Sequence, residues 1–313
     1  MSRLLTRWLL GAIPVLLGVT VATFVLTSFV PGDAGRTILG PDASPAQVQA
    51  LDRQLGLDRP LPVRYWDWLT AALHGNLGSS ITSSVPVSGE LTARIGVTVS
   101  LIGGTLLVAA VGGIGLGVLS ALRGGWQGRI VDVFALVGLA VPGFWLALVL
   151  VTLFAVRLAI FPATGYTQLG QDPVAWFESL VLPVLALGLP ALAPVAKQTR
   201  DGVLGELGRD YVKVLRARGV RERSVIFRHV LRNAAPPIIT VLGIVAVTSL
   251  GATILVETVF VLPGLGGLAA TAATTQDLPT VQGVALIFTT VVMIVNLLIE
   301  VAYAMVNPKV RTS

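Results

Sequence analysis

Six stretches of this chain carry no Asp, Glu, Lys or Arg and are apolar enough to enter hydrocarbon: 9–30, 95–122, 133–156, 179–196, 233–256 and 278–299. A bilayer core is about 30 Å thick, and a helix rising 1.5 Å per residue needs about 20 residues to cross it. No water is available there to satisfy open backbone groups, so each run is expected to close its hydrogen bonds within a helix. The expected fold is an all-α polytopic membrane protein with six transmembrane helices. Two further uncharged runs do not qualify. The run 68–89 holds His74, Asn76 and many hydroxyls, and 258–276 is broken by Pro263, Gly264, Gly266 and Gly267. Such irregular backbone is tolerated at membrane depth only where protein buries it.

Composition agrees. Hydrophobic residues make up 54% of the chain and charged residues 12%, about half the roughly 25% charged share of soluble domains. An ordinary water-soluble globule and a disordered chain are both excluded. The 34 glycines and 18 prolines are scattered through the apolar runs, as is common in membrane helices. Cysteine is absent, which removes a disulfide framework, a thiolate metal site and a cysteine nucleophile.

Arg3 and Arg7 precede the first run, as in a signal peptide. The run is longer than a signal core of about 7–15 residues, so a retained first helix is expected. Six crossings put both chain ends on one side. The N-terminal segment, the 123–132 loop, the 197–232 loop and the tail hold 16 of the 22 Lys and Arg residues. By the positive-inside rule both ends are cytoplasmic. The chain then divides into the N-terminus and first span (1–30), an extracytoplasmic helical insertion (31–94) and a core of five spans (95–313) with an inner loop at 197–232.

The insertion has local start signals. Ser44-Pro45-Ala46-Gln47 reads as an N-cap, a proline at the first helical position and a capping-box partner. Val48, Leu51 and Leu55 recur at helical spacing, and Gly56 ends the helix. A second helix starts at Pro60-Leu61-Pro62, with Val63, Trp66 and Leu73 on one face; Trp66 and Trp68 suit a membrane interface. This pair of helices either packs on the outer surface or receives an extracytoplasmic partner.

The inner loop carries ten basic and four acidic residues. Residues 210–218 have helical character, Gly219 is a C-cap, and a second helix is expected from about Arg221 to Asn233, with Pro236 and Pro237 marking the entry to the fifth span. A basic belt on anionic lipid is one reading; a docking element for a cytoplasmic protein is the other. Tethering between two spans argues against nucleic acid.

Within that loop, Tyr211-Val212-Lys213-Val214-Leu215-Arg216-Ala217-Arg218-Gly219 and Phe227-Arg228-His229-Val230-Leu231-Arg232-Asn233-Ala234 resemble the cytoplasmic loop of bacterial ABC importer permeases. The resemblance is to the dipeptide/oligopeptide (and nickel) branch, where Arg-Thr-Ala usually stands in place of Lys213, Val214 and Leu215. Further matches follow in order: Pro31-Gly32-Asp33, Leu55–Pro62 (55–62), Gly75-Asn76-Leu77-Gly78-Ser79-Ser80, Val256-Glu257-Thr258-Val259-Phe260, Pro263-Gly264-Leu265-Gly266, Asp277–Gly283 (277–283) and Asn307-Pro308-Lys309-Val310-Arg311. The resemblance implies a type I importer permease of the bacterial cytoplasmic (inner) membrane. It implies a second homologous permease, two cytoplasmic ATPases that bind ATP and Mg2+, and an extracytoplasmic solute-binding protein as partners. The cargo it implies is short peptides, with nickel chelates and haem-like ligands as alternatives.

The residues bear on energy independently. The three lysines, Lys197, Lys213 and Lys309, follow Ala196, Val212 and Pro308, so no Gly-Lys phosphate loop is present. Ionisable groups are absent from the six runs, which weakens a proton-coupled secondary transporter. No Gly-x-Ser-x-Gly or His-Glu-x-x-His occurs, so no catalytic residue and no metal site are expected. Energy is expected to arrive from outside through the inner loop. By the resemblance, its contact residues are Asp210, Tyr211, Lys213, Arg216, Ala217, Arg218, Gly219, Val220, Arg223, Phe227 and Arg228. Arg216 and Arg228 are expected in ion pairs with the ATPase or within the loop.

Two polar stripes remain. Ser249, Thr253 and Glu257 share one face of the fifth span, and Thr20, Thr23 and Thr27 one face of the first. Either they line a translocation path, with Glu257 meeting a peptide amino group, or the hydroxyls bond their own helices and Glu257 caps a bend. Gly113 and Gly117 are expected at a close helix contact, and Pro183, Pro190 and Pro194 at kinks in the fourth span.

Overall fold

The computed structural model of the chain describes residues 2–29, 39–40, 42–54, 56, 58–123, 125–126, 128, 130, 133, 138 and 141–306. Pro31-Gly32-Asp33, Leu55, Leu57, most of the first ten residues of the predicted third span and the motif at 307–311 lie outside the described residues. The elements are helices: α1 (Ser2–Ser28), α2 (Pro45–Gln54), α3 (Leu61–Leu73), α4 (Val87–Arg123), α5 (Gly143–Leu150), α6 (Pro173–Leu207), α7 (Asp210–Ala217), α8 (Glu222–Ser224), α9 (Leu231–Val259), α10 (Leu265–Thr274) and α11 (Leu278–Val306). A π-helical segment, Val151–Arg157, continues α5, and another, Val225–Val230, joins α8 to α9. Among the described residues, five helical stretches are long and apolar enough to cross a membrane: Leu10–Ser28, Val87–Arg123, Pro173–Leu207, Glu222–Val259 and Leu278–Val306. The third predicted run is represented by the shorter apolar helix Gly143–Arg157.

The chain forms two compact units. The first comprises Met1–Thr98 and Pro263–Met293. Within it α1 and the start of α11 run antiparallel: Trp8 Nε1 donates to the Met293 carbonyl (3.0 Å) and Gln282 Nε2 to the Thr20 carbonyl (3.3 Å). Its apolar core joins Val87 and Leu91 of α4 to Leu265 and Leu268 of α10 and Val284 of α11. A Cβ on Gly283 would meet Val87 Cγ1 at 2.6 Å, so glycine sets that approach. The glycine-rich segment expected to need burial folds into a helix that buries one face, with Leu265, Gly266, Leu268 and Ala272 inside.

The insertion obeys its start signals. Gln47 Oε1 accepts the Ser44 N–H at 2.9 Å, and Gly56 takes φ +67°. Helix α3 does not meet α1 through the shared apolar face of Val63, Trp66 and Leu73. Val63, Trp66 and Leu73 are exposed. Tyr65 makes the contact instead: its hydroxyl meets Thr20 Oγ1 at 3.0 Å and its ring stands edge-on to Phe24 at 5.6 Å. An amphipathic phenol satisfies a buried hydroxyl as well as an apolar wall. At the start of α11, Asp277 is buried and accepts from Ser80 Oγ (2.5 Å), Thr280 Oγ1 (2.9 Å) and the Ile81 N–H (3.1 Å).

The second unit comprises Val99–Leu262 and Ile294–Ser313. Here α4 and α6 run parallel. A Cβ on Gly104 would meet Val184, on Gly112 Leu192, on Gly113 Val195, and on Gly117 the Ala196 carbonyl at 2.5 Å. Small residues let the two backbones approach, where hydrocarbon offers no hydrophobic drive. Asp172 caps α6 by accepting the Val174 and Ala175 N–H groups. The helix then runs unbroken through Pro183, Pro190 and Pro194. Pro236 and Pro237 also lie inside a helix, α9, instead of marking its entry. A helical proline orphans the carbonyl four residues earlier; here those belong to Arg232 and Asn233, both exposed, where water can bond them. Antiparallel α9 and α11 meet where the Thr240 and Tyr303 hydroxyls pair and where a Gly243 Cβ would strike Ile299.

Candidate coupling site

The basic loop folds as a short helix with one anchored and one open face. Helix α6 ends at Leu207, and two residues later α7 begins. Val212 is fully buried, and Tyr211, Leu215 and Val220 are packed against the same apolar cluster, which includes Val203, Val225, Ile226, Val230, Ala234 and Ile238. Burial of a valine-sized side chain stabilises by roughly 1.5–3 kcal/mol, so Val212, Val225 and Val230 pin the loop to α6 and α9. The opposite face carries Lys213, Val214, Arg216, Ala217 and Arg218, all exposed.

Gly219 closes the helix. The Val220 N–H donates to the Leu215 carbonyl (3.1 Å) and the Gly219 N–H to the Arg216 carbonyl (2.9 Å). This is a Schellman closure, and it places Gly219 at φ +73°, the left-handed region glycine tolerates. Its apolar contact, Leu215 with Val220, lies in the same cluster. Beyond the turn, Glu222 Oε1 and Oε2 accept from Arg216 Nη2 (2.5 Å) and Nε (3.1 Å). The bidentate pair folds the start of α8 back onto α7. Hydrogen bonding to Glu222 raises the Arg216 pKa, and the same bond from Arg216 lowers that of Glu222. Ten residues separate Glu222 from the uncharged run 233–256.

The structure divides the sequence-expected contact residues. Asp210, Lys213, Arg216, Ala217, Arg218, Gly219, Arg223, Phe227 and Arg228 are exposed. Asp210 accepts from Lys213 Nζ at 2.8 Å. Phe227, 58% exposed, is a large apolar side chain among these charges. Tyr211 and Val220 turn inward. The Tyr211 hydroxyl donates to Glu206 Oε2 at 2.8 Å, and Arg209 Nε reaches Glu206 Oε1 at 3.0 Å. Burial, followed by the bond to Glu206, raises the Tyr211 pKa. Sequence reasoning counted Glu206 merely as one acid among ten bases. Its 7% exposure follows from the Gly208–Arg209 turn, which brings Tyr211 back over it; no spacing rule announces that.

The two polar stripes lie in different units. Ser249, Thr253 and Glu257 are buried, and the hydroxyls donate to the Val245 and Leu250 carbonyls of their own helix at 2.7 and 2.8 Å. Thr23 and Thr27 likewise donate to Val19 and Thr23 carbonyls, and Thr20 to Leu16 and Leu17 besides meeting Tyr65.

Helix α7 is thus a basic helix with an anchored back and an open front, joined by short connections to two long apolar helices. Residues 113–312 match the family of binding-protein-dependent transport system inner membrane components, and residues 1–102 match the N-terminal family of binding-protein-dependent transport system membrane components. The chain belongs to this family of inner-membrane transport components, as its loop motifs imply. Among relatives, a Brucella abortus (strain 2308) protein named as a peptide transport system permease is 38% identical over 312 residues, 99% of each chain. The glutathione transport system permease protein GsiC of Pectobacterium atrosepticum is 38% identical over 304 residues, 97% of each chain. A chain of the MetNI methionine ABC transporter, from a crystal form of its inward-facing conformations, superposes with a TM-score of 0.53 at 17% identity, over 69% of this chain and 96% of that one. That likeness establishes a shared fold.

Proposed function

We infer that this chain is the membrane-spanning permease subunit of an ATP-driven ABC importer for short peptides. It would work by alternating access, paired with a second homologous permease, two cytoplasmic ATPases and an extracytoplasmic binding protein. The observation that carries this is α7: Lys213, Arg216, Ala217 and Arg218 face outward from a helix whose reverse side is sunk into the ends of α6 and α9. A rigid body seated in an ATPase cleft would pass ATP-driven closure to both spans, and ligands that favour one closure state shift the populations. The peptide assignment is supported by relatives named for peptide and glutathione transport.

Helix directions support six crossings. Antiparallel α1 and α11 fit an even number of crossings. Parallel α4 and α6 fit one crossing between them, and Gly143–Arg157 is an apolar helix in that interval. With the five longer helices it makes six. The concentration of basic residues at 197–232 favours a cytoplasmic loop and cytoplasmic chain ends.

The test is purification of the tagged chain from its own membranes, followed by reconstitution with the binding protein in liposomes. Copurifying ATPase subunits and ATP-dependent accumulation of di- to oligopeptides are expected. Accumulation driven by a pH gradient without ATP would rule for a secondary carrier. ATP-dependent uptake restricted to nickel chelates or haem would remove the peptide assignment.

A further inference from the structure

The insertion ends in a loop, 79–86, whose base is a buried carboxylate. Asp277, beside the start of α11, accepts from Ser80 Oγ (2.5 Å), the Ile81 N–H (3.1 Å) and Thr82 Oγ1 (3.4 Å) of the loop. Helix α11 itself supplies the Thr280 hydroxyl (2.9 Å) and the Thr280 N–H (3.4 Å). Asp277, Ser80 and Thr280 are buried. A buried carboxylate is costly unless donors take up its lone pairs. Here donors from two elements share them, so the loop is fixed to the first turn of α11.

Above this base the loop is rigid. Ser79 and Pro86 form an antiparallel bridge. The Ser80 N–H donates to the Val85 carbonyl (2.9 Å), and the Ser84 N–H to the Ser80 carbonyl (3.0 Å). The Ser83 hydroxyl donates to Glu90 Oε1 (3.0 Å) and accepts the Val85 N–H (3.3 Å). Ser84 takes φ +59°. Strain of this kind persists only where surrounding contacts over-determine it, and it gathers at functional surfaces. Residues 82–86 are nevertheless exposed, and no Asp, Glu, Lys or Arg occurs from 68 to 89. Solvation alone calls for neither order nor loss of charge. A protein interface calls for both: charged residues are depleted at its core, and an ordered surface avoids an entropy cost on binding. The topology above puts the loop outside the membrane, on the side where a binding-protein-dependent system has its binding protein.

We propose that the tip 82–86 is a docking surface for the extracytoplasmic binding protein, and that Asp277 is the positioning residue that holds it in register on α11. The surface rests on the permease reading above. Asp277 does not face the partner; it acts through Ser80 and Ile81.

The test uses the complete importer in liposomes and its purified, peptide-loaded binding protein. It reads the binding-protein concentration that half-saturates ATPase stimulation, separately from the maximal rate. Val85→Arg places a long cation on the tip and is expected to raise that concentration at least about tenfold, the loss typical of a central interface residue. Asp277→Ala frees the loop and is expected to raise it at least about fivefold; Ser80→Ala serves should that variant fail to assemble. Asp277→Asn keeps an acceptor for the Ile81 N–H and an amide for the hydroxyls, and is expected to stay within about twofold of the wild type. Val85→Cys carrying a benzophenone maleimide is expected to photocrosslink to the binding protein. A crosslink to the second permease alone, or an unchanged half-saturating concentration in Val85→Arg, overturns the surface and leaves the permease reading in place. An unchanged value in Asp277→Ala, or in Ser80→Ala if only that variant assembles, overturns the role of the carboxylate. Absence of ATP-driven uptake by the wild-type complex overturns both readings.

Discussion

Gly219 and the Arg216–Glu222 pair set the shape of the loop at the scale of single residues. A Cβ on Gly219 would meet nothing within 4 Å, so only its φ of +73° constrains the position. Gly219→Val is therefore expected to destabilise the closure by about 1–2 kcal/mol. Gly219→Asn should cost less, because Asn visits this region more readily. Hydrogen exchange of the Gly219 position and Val220 amides checks the order, and equal effects of Val and Asn would contradict it. The ion pair adds a pH dependence. Glu222 is held below its ordinary value of 4.5 by Arg216, so its contribution is complete above that pH and is lost as pH falls through the lowered value. Both side chains are about half exposed, so salt should weaken the effect. Exchange protection at 216–222, corrected for intrinsic rates, should fall below pH 4.5 in the wild type and show no such step in Glu222→Gln.

Helix pairing is decided by a few small residues at the scale of elements. Along α4, Gly113 and Gly117 face α6, whereas Gly115 has nothing within 4 Å of its Cβ position. Gly117→Leu would drive a side chain into the Ala196 carbonyl and Thr199 Cβ, each 2.5 Å from the Cβ position. A backbone oxygen in a helix cannot step aside, so a loss of about 1–3 kcal/mol or more is expected. Gly115→Leu should be close to neutral. Thermal unfolding in detergent compares the two; similar midpoints would show that α4 and α6 are not in tight contact. The Gly113–Gly117 contact is legible from spacing alone, because a four-residue repeat of glycine on an apolar helix makes a groove whatever the partner. The partner, α6 in parallel orientation, is not legible. Likewise, α6 is continuous through its three internal prolines, and Pro236 and Pro237 sit within α9, four residues after the exposed Arg232 and Asn233.

The orientation of the chain belongs to the scale of the whole molecule, and the absence of cysteine makes it directly measurable. Thr70 and Arg218 are exposed in the insertion and the inner loop. In intact cells a membrane-impermeant maleimide is expected to label Thr70→Cys and to label Arg218→Cys only after permeabilisation. The reverse pattern would invert the topology and remove α7 from reach of any cytoplasmic ATPase. The sequence by itself determined the all-helical class, the apolar runs, the concentration of basic charge between 197 and 232 and the turn at Gly219. Each of these follows from local quantities: apolar length against bilayer thickness, charge count, and the φ a single residue allows. Only the tertiary structure decided that Tyr211 and Glu206 face each other, that Tyr65 seats α3 on α1, and that the hydroxyls of Ser249 and Thr253 turn to their own helix. Burial and partnership depend on which surfaces meet, and a linear pattern of residue types holds the faces of a helix without saying what lies against them.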